Sequence, residues 1–101
     1  MKLVRDKIIN IIKEEGRQPE FYVADDHEMK IRIAQKIKEE LEEFEQNPSI
    51  EELADLYEVF LSLIRVYGFE FDGVIKEADK KRAKKGAFLK KHILLKRNND
   101  E

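Results

Sequence analysis

The chain has 101 residues and a net charge of −2, and hydrophobic and charged residues each make up 42% of it. A chain of this length has room for one core, so we expect a single domain over residues 1–97 and a frayed polar tail at 98–101. The absence of cysteine excludes disulfides and thiolate chemistry. No apolar run is long enough to span a membrane, and residues 1–7 lack the apolar core of a signal peptide, so we expect a cytoplasmic protein.

Apolar residues at helical spacing, separated by glycine and proline, predict an all-α fold, a small bundle of about four helices. Asp25 is the predicted N-cap of the second helix and Ser49 that of the third. Residues 21–23 are expected to be an extended piece that packs on the core. The last segment, 88–97, is either a strand or a short extended arm. The predicted helices cover residues 3–15, 26–45, 50–67 and 72–85.

Carboxylates flank the predicted connector between the second and third helices. Glu40 and Glu43 close one helix, and Glu52 and Asp55 open the next. Residues three apart lie on one face of a helix, so the two pairs meet if the helices fold back antiparallel. Four converging carboxylates beside a core repel one another and are costly to bury without a compensating cation. Such oxygen donors suit Mg²⁺, Mn²⁺ or Ca²⁺.

Two simpler interpretations of these carboxylates compete with a metal site. Glu40 follows Lys36 by one helical turn, and this spacing favours an ordinary ion pair. Ser49 and Glu52 fit a capping box, in which Ser49 is the N-cap and Glu52 reaches back to its backbone N–H. Each of these arrangements explains a carboxylate without any ion.

The acidic pattern resembles that of the all-α nucleoside triphosphate pyrophosphohydrolases, which include MazG, the dimeric dUTPases and the phosphoribosyl-ATP pyrophosphohydrolases. Their signature, a Glu-Glu-x-x-Glu helix followed by a Glu-x-x-Asp helix, is matched by residues 39–43 and 52–55. Residues 2–8 (Lys-Leu-Val-Arg-Asp-Lys-Ile) and 81–88 (Lys-Arg-Ala-Lys-Lys-Gly-Ala-Phe) are similar to the beginning and end of a small phosphoribosyl-ATP pyrophosphohydrolase-like subgroup. Together these stretches span most of the chain in the same order.

The resemblance implies a hydrolase that uses Mg²⁺, with Mn²⁺ as a possible substitute, and releases pyrophosphate from a nucleotide or phosphoribosyl nucleotide. Ile9 stands where the subgroup often has proline and Ala87 where it has a second glycine, so the preferred base and sugar stay open. Glu39 is implied as a general base or second-metal ligand. The implied metal ligands are Glu40, Glu43, Glu52 and Asp55. The implied substrate-binding cations are Lys81, Arg82 and Lys85, followed by Arg5 and Lys7.

Two other functions compete with this enzyme. One is a non-enzymatic oligomerisation or nucleotide-sensing module with a vestigial acidic cluster. The other is nucleic-acid binding through the basic residues 80–97, which we rank last because Phe88 is the one aromatic residue among them. The third predicted helix is apolar over too wide an arc for a small bundle to cover, so we also expect a homo-oligomer, a dimer or a tetramer.

Overall fold

The computed structural model describes residues 1–97, which form four α-helices and no strand. The predicted all-α fold class is therefore confirmed, while the predicted tail at 98–101 lies outside the described residues. The chain divides into two compact units, Met1–Phe71 and a second that begins at Asp72. None of the helices within residues 1–97 combines the length and apolarity needed to cross a membrane. The helices are α1 (Ile8–Glu14), α2 (Asp26–Gln46), α3 (Ile50–Val66) and α4 (Phe71–Lys85).

The helices α2 and α3 form an antiparallel hairpin, which is the main packed element of the first unit. Residues 47–49 turn the chain back so sharply that the two helices lie side by side. Ile33 on α2 and Val59 and Ile64 on α3 are the buried apolar side chains of the described chain. Each such side chain contributes about 1.5–3 kcal/mol through its removal from water. This hairpin brings the end of α2 beside the beginning of α3.

Side-chain caps fix where the two hairpin helices begin. The Asp25 carboxylate accepts a hydrogen bond from the Glu28 N–H at 2.8 Å, and the Ser49 hydroxyl accepts one from the Glu52 N–H at 3.2 Å. Both predicted N-caps are therefore confirmed. At the other end of α3, Gly68 has a φ of +76°, a conformation that favours glycine because it carries no Cβ.

The prediction for the first helix is wrong at its beginning. Residues 1–5 lie outside any helix, and α1 begins at Ile8. In this conformation the Arg5 guanidinium donates to an Asp55 carboxylate oxygen at 2.7 Å. Helical spacing in a sequence carries no information about such a contact between distant residues. The N-terminal segment therefore lies against the hairpin instead of adding a turn to α1.

The prediction that residues 21–23 pack on the core is also wrong. Phe21 and Tyr22 are more than half exposed, and Val23 is 88% exposed. The Tyr22 hydroxyl donates instead to the carboxylate of Glu28, which also pairs with Arg32. The Tyr22 bond lowers the pKa of Glu28, and although desolvation opposes this, Arg32 lowers it further. The Tyr22 hydroxyl is thus hydrogen-bonded at the protein surface, near the beginning of α2.

The second unit contains α4 from Asp72 onward and the described residues that follow the helix. The helix begins at Phe71, one residue before its predicted start at residue 72, and it ends before Gly86. Residues 91–97 have no regular secondary structure, so this segment is an arm and not a strand. Phe88 and Ile93 are more than four-fifths exposed.

Candidate metal centre

Carboxylates from both hairpin helices converge, and Glu40 is common to two groups of them. Glu39, Glu40 and Glu43 each place one carboxylate oxygen within 4.8 Å of the others. Glu40, Glu52 and Asp55 do the same across the hairpin. The structure therefore places all four predicted metal ligands and the predicted general base in two overlapping groups that share Glu40.

Glu40 is the most informative member of the cluster because it is a buried acid. Glu40 is 6% exposed, and its Oε1 lies 3.3 Å from the Lys36 ammonium. The ion-pair interpretation is therefore correct for one oxygen. The other, Oε2, is buried with no hydrogen-bond partner within the described chain. An unpaired buried carboxylate oxygen is expensive, and it is the kind of group that a bound cation satisfies.

Glu52 carries the second buried carboxylate oxygen that has no hydrogen-bond partner within residues 1–97. Its backbone N–H is capped by Ser49, as the capping-box interpretation requires. Within residues 1–97 no hydrogen bond from the Ser49 N–H to the Glu52 side chain completes the box, and Oε2 of Glu52 is buried without a partner. The carboxylate instead belongs to the group with Glu40 and Asp55. Capping and membership of the cluster therefore use different atoms of the same residue.

Charge repulsion and one lysine dominate the electrostatics of the cluster. The negative charge of Glu40 is the largest effect raising the pKa of Glu43, and desolvation and the charges of Glu52 and Glu39 raise it further. Burial by itself lowers the pKa of Lys36, but its hydrogen bond to Glu40 and the charges of Glu39 and Glu40 outweigh burial and raise it. A single lysine is thus shared between Glu39 and Glu40.

The donor set fits a divalent cation of the magnesium type. All five candidate ligands are carboxylates, and hard oxygen donors select Mg²⁺, Mn²⁺ or Ca²⁺ over zinc or copper. The two buried oxygens without partners, on Glu40 and Glu52, belong to opposite helices of the hairpin. Residues of the cluster would hold the ion, with Glu40 contributing to both groups.

A cleft of about 670 Å³ adjoins the cluster. Glu40 and Asp55 contribute to its lining, and the N-terminal segment from Lys2 to Ile8 forms another part of it. This volume lies within the range of about 300–1,000 Å³ that is usual for small-molecule sites. Five cationic side chains line the cleft: Lys2, Arg5, Lys7, Lys36 and Arg65.

The predicted substrate-binding residues fall into two sets. Arg5 contacts Asp55, and Lys7 lines the cleft. Lys81, Arg82 and Lys85 lie near the end of α4, in the second unit, and Arg82 pairs there with Asp79 at 2.9 Å. These three residues belong to a different unit from the carboxylates, and their role as phosphate ligands stays a prediction.

Sequence reasoning missed two lining residues, Lys2 and Arg65, and the direct contact between Arg5 and Asp55. Fifty positions separate Arg5 from Asp55, and no periodicity links them. In the sequence, Arg65 is a cation near the end of a predicted helix, and the helix dipole alone explains such a position. No protein-family model matches the chain, and no curated protein or solved structure is detectably similar to it. The resemblance to the all-α pyrophosphohydrolases therefore stays a prediction.

Proposed function

We propose that this protein is a magnesium-dependent nucleotide pyrophosphohydrolase, which splits the bond between the α- and β-phosphates and releases pyrophosphate. The observation that carries the proposal is the buried Glu40, which has an unpartnered oxygen, belongs to two carboxylate groups and lines a cleft. A buried acid in this setting is a frequent mark of a functional site. The motif resemblance supports the choice of reaction.

The chain's own residues have distinct roles in this reaction. Glu40, Glu43, Glu52 and Asp55 hold the cation, which when bound neutralises phosphate charge and makes water more acidic. Glu39 accepts a proton from the attacking water. The water oxygen bonds to the α-phosphorus as the bond to the bridging oxygen breaks, and pyrophosphate leaves with that electron pair. The products are a nucleoside monophosphate and pyrophosphate.

Cations of the chain provide the other half of substrate recognition. Lys7 lines the cleft and pairs with no acid among residues 1–97. Lys81, Arg82 and Lys85 are further candidates to bind phosphates, Arg82 with a guanidinium fork and the lysines as point charges. Their support is the similarity of residues 81–88 to the subgroup's ending.

A product assay tests the proposed reaction. The chain is incubated with Mg²⁺ and a panel of nucleoside triphosphates and phosphoribosyl nucleotides, and pyrophosphate and orthophosphate are measured separately. We expect pyrophosphate and a nucleoside monophosphate in equal amounts, and no product when Mg²⁺ is chelated. Orthophosphate as the primary product contradicts cleavage between the α- and β-phosphates. Binding of metal and nucleotide without turnover favours the non-enzymatic sensing module.

We also propose that the protein is a homodimer that packs through α3. Leu53, Tyr57, Phe60 and Tyr67 follow one another at helical spacing, and each is 40–52% exposed. Three buried apolar side chains are a small core for the described chain, and exposed apolar stripes of this kind are typical of interfaces. A second copy carries the same stripe, so two stripes can pack about a two-fold axis.

Analytical ultracentrifugation tests the assembly. At micromolar concentration, the wild-type chain is expected to sediment at about twice its 12.0 kDa mass. Tyr57→Glu places a charge in the proposed interface and should shift the protein to monomer. Val23→Glu is the matched control, because Val23 is 88% exposed and lies in the connector before α2. A wild-type monomer, or equal dissociation of both variants, contradicts this interface.

A further inference from the structure

Arg5 and a bound cation would compete for the same carboxylate, that of Asp55. Its Nη2 lies 2.7 Å from Oδ1 of Asp55, a residue that shares a carboxylate group with Glu40 and Glu52. Arg5 therefore neutralises part of the cluster's charge, and it does so at one of the predicted metal ligands.

The Arg5 side chain is also free to turn toward the cleft. It is 57% exposed, and its partner Asp55 is 42% exposed, so the ion pair lies at the surface of the cleft wall. Exposed ion pairs of this kind are typically worth only about 0.2–1 kcal/mol. Exchange of Asp55 for another anion therefore costs little.

The rest of the cleft carries both charges, since the carboxylates of Asp6 and Glu58 line it too, but two of its cations are available to an anion. Lys2 and Lys7 belong to the same N-terminal segment as Arg5, and neither pairs with an acid within residues 1–97. A guanidinium matches two phosphate oxygens at once. The cleft is large enough for a nucleotide's phosphate chain.

We propose that Arg5 is an exchange residue: it holds Asp55 in the metal-free chain and moves to a phosphate of the ligand when a divalent cation takes Asp55. This inference rests on the proposed function, because it assumes the metal site and a di- or triphosphate ligand. Arg5 thereby couples metal binding to phosphate binding. The alternative is that Arg5 is a permanent strap between the N-terminal segment and α3.

The two interpretations predict different effects of Arg5→Gln. An exchange residue competes with the cation for Asp55 but assists the phosphate ligand, so its removal has opposite effects on the two affinities. Mn²⁺ should bind about two- to fivefold more tightly, in line with the loss of a surface ion pair. The phosphate ligand should bind about tenfold more weakly or worse, as expected for loss of a charged hydrogen bond. If Arg5 only ties the N-terminal segment to α3, Arg5→Gln does not change the two affinities in opposite directions.

Calorimetric titration tests the exchange on the full chain. Mn²⁺ is titrated alone, and methylenediphosphonate, a diphosphate analogue that resists hydrolysis, is titrated in saturating Mg²⁺. Arg17→Gln is the matched control, since Arg17 is an exposed arginine paired with Glu15 at 2.8 Å and does not line the cleft. We expect the opposite shifts for Arg5→Gln and wild-type affinities for Arg17→Gln.

Arg5→Lys provides a second readout, which also decides the case if Arg5→Gln does not fold. This variant keeps the charge near Asp55 but loses the planar fork, so Mn²⁺ affinity should stay near wild type while methylenediphosphonate affinity falls severalfold. Unchanged methylenediphosphonate affinity in the folded Arg5 variants, or weakening of both ligands together, overturns the exchange. If the wild type binds no Mn²⁺, the proposed function fails with it. If the wild type binds Mn²⁺ and releases pyrophosphate without these shifts, the exchange alone is wrong.

Discussion

Glu52→Gln is expected to reduce magnesium-dependent pyrophosphate release by two or more orders of magnitude while the protein stays folded. The change removes a negative charge from the proposed metal site and barely alters the shape of the side chain. Ser49 caps α3 through the backbone N–H of Glu52, which the substitution leaves in place. Loss of activity in this variant therefore reports on the carboxylate and not on the helix cap.

Two variants of neighbouring residues separate these roles. Ser49→Ala removes the cap and should lower the free energy of unfolding by about 1 kcal/mol, with activity retained in the molecules that stay folded. Glu51→Gln changes an exposed carboxylate in the same helical turn that belongs to neither carboxylate group, so it should leave the rate unchanged. Pyrophosphate release by Glu52→Gln at the wild-type rate would show that Glu52 is not a metal ligand.

Glu40→Gln is expected to act in opposite directions with and without metal. Without metal, the variant should be more stable than the wild type by about 1 kcal/mol or more, because a buried oxygen without a partner costs that much. Glu40 and Glu52 each place an oxygen within 4.8 Å of the other, so the new amide can donate toward the carboxylate of Glu52, and Glu39 still pairs with Lys36 at 3.4 Å. With metal, the variant should lose most of the stabilisation that the wild type gains.

Urea unfolding with and without Mn²⁺ measures both effects of Glu40→Gln. Glu42→Gln is the matched control, since Glu42 is an exposed glutamate on α2 that belongs to neither carboxylate group. An NMR titration adds an independent readout: Glu40 raises the pKa of Glu43, so Glu40→Gln should return that pKa toward its ordinary value. A destabilised metal-free variant that keeps the full response to Mn²⁺ would contradict the role assigned to Glu40.

The hairpin and its acidic cluster were predictable from sequence because local signals specify both. Asp25 and Ser49 are caps with strong positional preferences, and the Asn-Pro-Ser connector leaves few ways to join two helices. Once the hairpin is antiparallel, the three-residue spacing of the carboxylates places them on facing turns. The burial of Glu40 follows from its position at the edge of the apolar stripe of α2.

The N-terminal segment was not predictable in the same way. Val4 continues the helical spacing of Ile8, Ile11 and Ile12, so periodicity extends the first helix too far. The deciding contact, between Arg5 and Asp55, joins residues fifty positions apart and depends on tertiary structure alone. One side of the cleft depends on that same segment, which explains why Lys2 carried no signal. Arg65 lies on α3, and only the packing of the segment against the hairpin makes it part of the cleft. Propensity and spacing predict helices, whereas this side of the cleft is formed largely by residues without regular structure.

Thermal unfolding with and without Mn²⁺ tests most directly whether the hairpin carboxylates hold a divalent cation. A ligand that binds the folded state alone at a hundred times its dissociation constant adds about 2.7 kcal/mol of stability. For a domain of about 100 residues, this raises the melting temperature by about 10 °C or more. We predict a rise of that size in millimolar Mn²⁺ or Mg²⁺, reversed by a chelator. An unchanged melting curve, with and without nucleotide, would contradict the metal site.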